Sequence, residues 1–142
     1  LVEQNARVML SHVNTAEWKA VGADAAMAFD GKRETAWTAE GLSALIVDMG
    51  KEEAVKGFCY APVAGDDLSG TIYKYNFYVS TDGQNWTKCN TNGEFSNIMH
   101  NPVPYFVRFG KNYQARYFKL EPISEIKSAQ KTTIGEIGIL VK

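Results

Sequence analysis

Along this chain, apolar and polar positions alternate with a period of two more often than with a helical period. In TIYKYNFYVS (71–80), Tyr73, Tyr75, Phe77 and Val79 fall on one side, and Lys74, Asn76 and Ser80 on the other. That alternation predicts a strand with one buried face. ALIVDMG (44–50) predicts a short apolar strand closed by Gly50, and AVKGFCYAPV (54–63) another that stops at its proline. In STDGQNW (80–86), Asp82-Gly83 marks a turn, because Asp-Gly tolerates the positive φ of hairpins; Trp86 opens the return strand. PYFVRFG (104–110), ARYFKLEPI (115–123) and TIGEIGILVK (133–142) predict three more strands. Only 20–29, rich in alanine but interrupted by Gly22, favours a helix. Strands this frequent, with turns between them, predict an all-β antiparallel sandwich or barrel. There is no internal repeat, low-complexity segment or interdomain linker.

With 142 residues, 45% apolar and 22% charged, the chain suits one folded domain with a single core. Its net charge of −1, with no block of like charges, argues against a nucleic-acid partner, which needs a basic face to displace counterions. No apolar run approaches a membrane span. Leu1 starts without a basic region or an apolar leader, and the absent Met fits a domain cut from a longer protein. Cys59 and Cys89 lie far apart and form no CxxC pair. Two small buried side chains are expected; a structural disulfide is the other reading.

Catalytic patterns are missing from the sequence. His12 and His100 stand alone, outside any metal-ligand spacing such as HExxH. There is no G-x-S-x-G elbow and no phosphate-binding glycine loop. Glu52-Glu53 and Asp66-Asp67 are adjacent acids, and neighbours in an extended chain point apart, so they cannot flank one glycosidic bond. The expectation is a domain without catalytic activity of its own.

The stretch AMAFDGKRETAWTAEG (26–41) is different in kind. Asp30-Gly31 makes a tight turn, and Thr35 follows five residues after the acid. Such a loop aims a carboxylate, a hydroxyl and backbone carbonyls at one point. These are hard oxygen donors, which suit Ca²⁺ better than zinc or copper. An Asx-type turn, with Asp30 bonding nearby amides and no metal, accounts for the same residues.

Several segments carry a resemblance to a known family. AFDGKRETAW resembles the A-x-D-G-x-x-x-T-x-W signature of the F5/8 type C (discoidin-like) domain, the group that includes family 32 carbohydrate-binding modules. IVDMGKEEAVKGFCYAP, IYKYNFYVSTDGQNW, ARYFKL and IGEIGIL resemble further motifs of that family, in family order, from about Ser11 to Val141. The resemblance implies an eight-stranded jelly-roll sandwich. It also implies a structural calcium held by the Asp30 and Thr35 side chains, the Lys32 carbonyl and the Glu136 carboxylate. Trp37 is expected in the core behind the loop.

The ligand surface departs from the family's galactose binders. Those carry His after the motif Trp and Arg after the Y-x-P proline; here Thr38 and Val63 stand there, with Asp24 and Glu17 the acids near the metal motif. Simple galactose is therefore expected to bind poorly. Loops 17–24, 38–42, 63–71, 90–101 and 124–133 are expected at one end of the sandwich. They offer Trp18, Asp24, Thr38, Asp66, Asp67 and His100 as candidate ligand contacts, with Phe95 and Asn97 nearby. The resemblance implies a monomeric, weakly glycan-binding module of a bacterial glycoside hydrolase, chitobiase (hexosaminidase) or α-fucosidase in kind, located in the periplasm, at the cell surface or outside the cell. The alternative is an architectural or protein-interaction domain that binds no sugar. Membrane insertion is disfavoured, since the loop tips GDDLSG and NTNGE are polar and partly acidic.

Overall fold

The structure, a computed structural model, describes residues 15–32, 34–65, 67–90 and 92–141. It is all-β. Among the described residues, nine strands follow in the order β1 (Lys19–Ala20), β2 (Trp37–Glu40), β3 (Leu45–Ala61), β4 (Ile72–Ser80), β5 (Thr87–Lys88), β6 (Gly93–Glu94), β7 (Tyr105–Glu125), β8 (Lys131–Ile134) and β9 (Glu136–Leu140). All pairings between them are antiparallel. The segments exceed the expected eight because β1, β5 and β6 are fragments of two residues each. The helix-friendly stretch yields only a short 3-10 turn, Ala26–Phe29. Among the described residues, no helix is long and apolar enough to cross a membrane.

β3 and β7 build both layers of the sandwich. The start of β3 pairs with the later part of β7, from Leu45↔Leu120 to Asp48↔Tyr117; its end pairs with the start of β7, from Gly57↔Arg108 to Tyr60↔Tyr105. Register shifts after Asp48 and after Val55 let the pair bend from one layer into the other. β4 extends the first layer along β7, and β9 extends the second along β3. This corrects the sequence reading at two places. The strands expected at 44–50 and 54–63 are one strand, and so are those at 104–110 and 115–123. Gly50, at φ 82°, marks an irregularity inside β3 and not its end.

The alternation in 71–80 holds through the middle of the strand, with Tyr75, Phe77 and Val79 buried and Lys74 exposed, but Tyr73 is only half-buried and Ser80, expected outside, is buried. Phe77 stacks on Phe58 from the other layer, with ring centroids 4.2 Å apart. Phe95, a candidate loop aromatic, is buried as well, stacked between Tyr60 and Tyr75. The Tyr60 hydroxyl accepts from the Ile72 N–H at 3.0 Å and donates to the Thr133 carbonyl at 2.8 Å, so a fully buried polar atom is satisfied twice. Cys59 is buried and Cys89 half-buried, with no disulfide between them; burial pushes the Cys89 thiol up to about 12.

Trp18 requires a correction. Only 5% of it is exposed, and it packs edge-on against Phe29 and Phe118 at 5.6 and 5.4 Å. It was named above as a candidate ligand contact, and its burial removes it from the surface. The short strand β1 turns the indole inward, where it closes the core over the 3-10 turn.

Candidate functional site

The loop that follows the 3-10 turn brings together every residue assigned to the metal. Asp30 closes its own turn by accepting the Lys32 N–H at 2.9 Å. The Thr35 hydroxyl reaches Asp30 Oδ2 at 2.5 Å and the Lys32 carbonyl at 3.2 Å. The Gly31 N–H donates to Glu136 Oε1 at 2.9 Å, which ties this loop to β9. Glu136 is 2% exposed and shares a hydrogen bond with the Asp30 carboxyl. Burial, and then the Asp30 carboxyl, push Glu136 up to about 9, while the Gly31 N–H works against that rise. Burial also works to raise Asp30, but hydrogen bonds from Thr35, Glu136 and Lys32 outweigh it and hold that carboxyl below its usual range.

Two acids in contact need either a shared proton or a cation between them. The donors fit calcium: two carboxylates, a carbonyl and a hydroxyl, all oxygen, with one acid buried. Among the described residues, no group of three or more His, Cys, Asp or Glu side chains converges. A cation here would therefore draw on the Lys32 carbonyl and the Thr35 hydroxyl as well as the acids. Trp37 is half-buried and packs against the core, as expected.

Beside this loop lies a cleft of about 330 Å³. β2 and β8 form one wall, with Thr38 directly opposite Thr133, and Val63, Ala64, Gly65, Asp67 and Ser69 form the other. Thr38, Val63, Asp67, Ser69 and Lys131 line it, so the two positions that depart from the galactose binders share one cleft. Asp67 accepts both the N–H and the hydroxyl of Ser69; these bonds, with Lys131 and Lys127 nearby, hold its carboxyl below the usual range. The cleft thus offers one anionic acceptor, one ammonium donor and three hydroxyls. No aromatic ring lines it among the described residues.

The loops behind the cleft are fixed by a buried acid that the sequence reading missed. Glu125, 9% exposed, accepts the Gly70 N–H at 2.6 Å and the Ala129 N–H. One carboxylate therefore anchors residues 67–70 and 126–130, including Ser128 and Gln130 at positive φ. Gly70, at φ 84°, must be glycine: a Cβ would lie 2.4 Å from Thr133 Oγ1. Glu125→Ala should lower stability by about 1–2 kcal/mol, since it leaves the buried Gly70 N–H without an acceptor and frees the exposed Ala129 N–H to water. Amide exchange at Gly70 and Ala129 should accelerate together. Unchanged protection at either amide would show that the acid anchors only one loop.

Other candidates lie elsewhere. Asp24 and His100 are exposed and do not line the cleft. Asn97 is exposed at φ 67°. Glu17 packs beside Gly50. Asp66 and His12 lie outside the described residues. Lys131 was missed because its place depends on the β2–β8 register, which joins segments about ninety positions apart; Glu40↔Lys131 is a pairing that no local pattern announces.

Comparison with known proteins agrees with this geometry. The profile of the F5/8 type C domain matches residues 10–137. No curated protein matches significantly. The family 32 carbohydrate-binding module from C. perfringens NanJ, solved in complex with galactose, has a TM-score of 0.75 and 22% identity, covering 89% of this chain and 96% of that one. The C-terminal domain of a chitobiase from Bacteroides fragilis has a TM-score of 0.71 at 22% identity, covering 90% and 95%. A putative alpha-L-fucosidase from Bacteroides ovatus is 32% identical with a TM-score of 0.69; the match covers 92% of this chain but 19% of that one. These structures include both kinds of parent enzyme that the motifs pointed to. With the profile spanning most of the chain and the sandwich in common, the chain belongs to the F5/8 type C domain family and is built like the non-catalytic family 32 carbohydrate-binding modules.

Proposed function

We propose that this domain is a non-catalytic glycan-binding module of a larger glycoside hydrolase, exported with that enzyme to the periplasm, cell surface or medium. The observation that carries the reading is the cleft lined by Thr38, Asp67, Ser69 and Lys131, which gathers a carboxylate, an ammonium and hydroxyls on one concave surface. Calcium held by Asp30, the Lys32 carbonyl, Thr35 and Glu136 is structural on this reading. It supplies charge neutralisation between the two acids and takes no part in sugar chemistry. Lys131 takes over the donor role that Thr38 and Val63 do not fill.

Binding is expected to be weak, in the high-micromolar to millimolar range, about −4 to −5.5 kcal/mol. The cleft is shallow and presents no aromatic plate, so little apolar area is recovered. Galactose, N-acetylglucosamine, N-acetylgalactosamine and fucose should be titrated separately, following backbone amides by NMR. The best of them should shift Thr38, Asp67 and Lys131, and Asp67→Ala or Lys131→Ala should weaken it by about fivefold. Galactose binding at tens of micromolar would refute the argument from Thr38 and Val63. Silence across a broad glycan array would leave the architectural reading standing.

A further inference from the structure

A second cleft, of about 370 Å³, opens on the outer face of the first layer and shares no lining residue with the one above. Two irregularities flank the same stretch of β4 and create it. On one side, the Asn90 side chain replaces a strand: its Oδ1 accepts the Phe77 N–H at 2.6 Å and its Nδ2 donates to the Tyr75 carbonyl at 3.3 Å. The backbone is freed to leave the sheet between β5 and β6, and Asn92 passes at φ 52°. Gly93 has to be glycine, because a Cβ would meet Asn90 Nδ2 at 2.3 Å and the Tyr75 ring at 2.8 Å. On the other side, the β4–β7 register slips between Lys74↔Ser124 and Tyr75↔Pro122. Ile123 is the extra residue and stands 47% exposed at the rim. Irregularities of this kind re-aim side chains near sites.

The charges in the cleft are unevenly satisfied. Glu94 lines the cleft directly opposite Lys74 in the β4–β6 pair. Glu121, beside the cleft, accepts from Asn76 Nδ2 at 3.0 Å and from the Tyr78 hydroxyl at 3.4 Å. Among the described residues, neither Lys74 nor Lys88 forms an ion pair. Glu121 thus has its donors within the protein, and among the described residues neither ammonium group is within ion-pair distance of a carboxylate. Lys88 lies opposite Tyr78, four residues along β4 from Lys74, about 13 Å at the usual strand rise. That span suits an oligosaccharide better than a single sugar.

We propose that this cleft is a second glycan site, specific for acidic oligosaccharides, in which Lys74 and Lys88 take the carboxylates of uronic-acid units and Ile123 packs on an apolar sugar face. Asn92 lies between the two lysines, placed for a hydroxyl.

The test is a titration of the intact domain with trigalacturonate, followed by backbone-amide NMR, with neutral galactotriose and a triglutamate peptide as controls. Trigalacturonate should shift Lys74, Lys88, Asn92 and Ile123, and the controls should not. Lys74→Ala and Lys88→Ala should each weaken it by about fivefold. Raising sodium chloride from about 50 to about 300 mM should weaken it further, since the pairs are exposed. Asp67→Ala should leave it unchanged, so this site and the Thr38–Asp67–Lys131 cleft succeed or fail separately. Equal shifts with galactotriose, equal shifts with triglutamate, or no shift at these amides would each overturn the proposal.

Discussion

Stripping calcium is expected to lower the melting temperature of this domain by roughly 10 °C. An ion that binds only the folded state stabilises it by mass action, about 2.7 kcal/mol when calcium stands a hundredfold above its dissociation constant. For a chain of this length, about 1 kcal/mol moves the midpoint by about 4 °C. The source of the effect is the contact between Asp30 and the buried Glu136, whose carboxyl is pushed up by burial and by Asp30, so that a cation there would relieve the repulsion between the two acids. Melting should be compared in calcium and in chelator, with bound metal measured in each sample. Asp30→Ala and Glu136→Gln should abolish the difference; Glu136→Gln keeps the side-chain volume, so a loss there reports the charge and not a cavity. Equal midpoints, with calcium bound in neither sample, would leave an Asx turn as the whole role of the loop.

Phe58→Ala should cost about 3–5 kcal/mol. The ring is fully buried in the second layer, stacks on Phe77 of the first, and meets Tyr75 edge-on at 5.4 Å. Removing it takes contacts from both layers at once, and the aromatic neighbours are too large to collapse into the space. Denaturant unfolding followed by tryptophan fluorescence would measure the loss. A cost below about 1 kcal/mol would show that the layers are not coupled through this stack.

What the sequence made legible here was local. The alternation in 71–80 placed β4, and the Asp30–Thr35 spacing placed the loop, because both depend on neighbours a few positions apart. What it hid depends on distant pairing. Gly50 ends an apolar run, yet β3 continues past it because β7 supplies hydrogen bonds on the far side of the irregularity. Trp18 sits among polar residues, and only its position over Phe29 and Phe118 explains its burial. Asp48 and Arg116 lie in two of the matched motifs, yet their two-pronged ion pair, at 2.8 and 3.1 Å, joins segments far apart in the chain. The first cleft was half legible: Thr38, Val63 and Asp67 were named, but Lys131 and Glu125 were not. The second cleft was not legible, since it arises from an amide standing in for a strand.

The bond from Gly31 to Glu136 spans 105 positions of chain. A contact of that separation closes late, after the entropy of the long intervening loop has been overcome. A nascent chain therefore cannot complete the acid pair until β9 has emerged and paired with β3. An ion held there arrives after the folding transition state, so it should leave the rate of folding unchanged and slow only the rate of unfolding. On the calcium reading proposed above, the site would be a kinetic latch: it would not guide the chain to its fold, but it would prolong the lifetime of the folded domain.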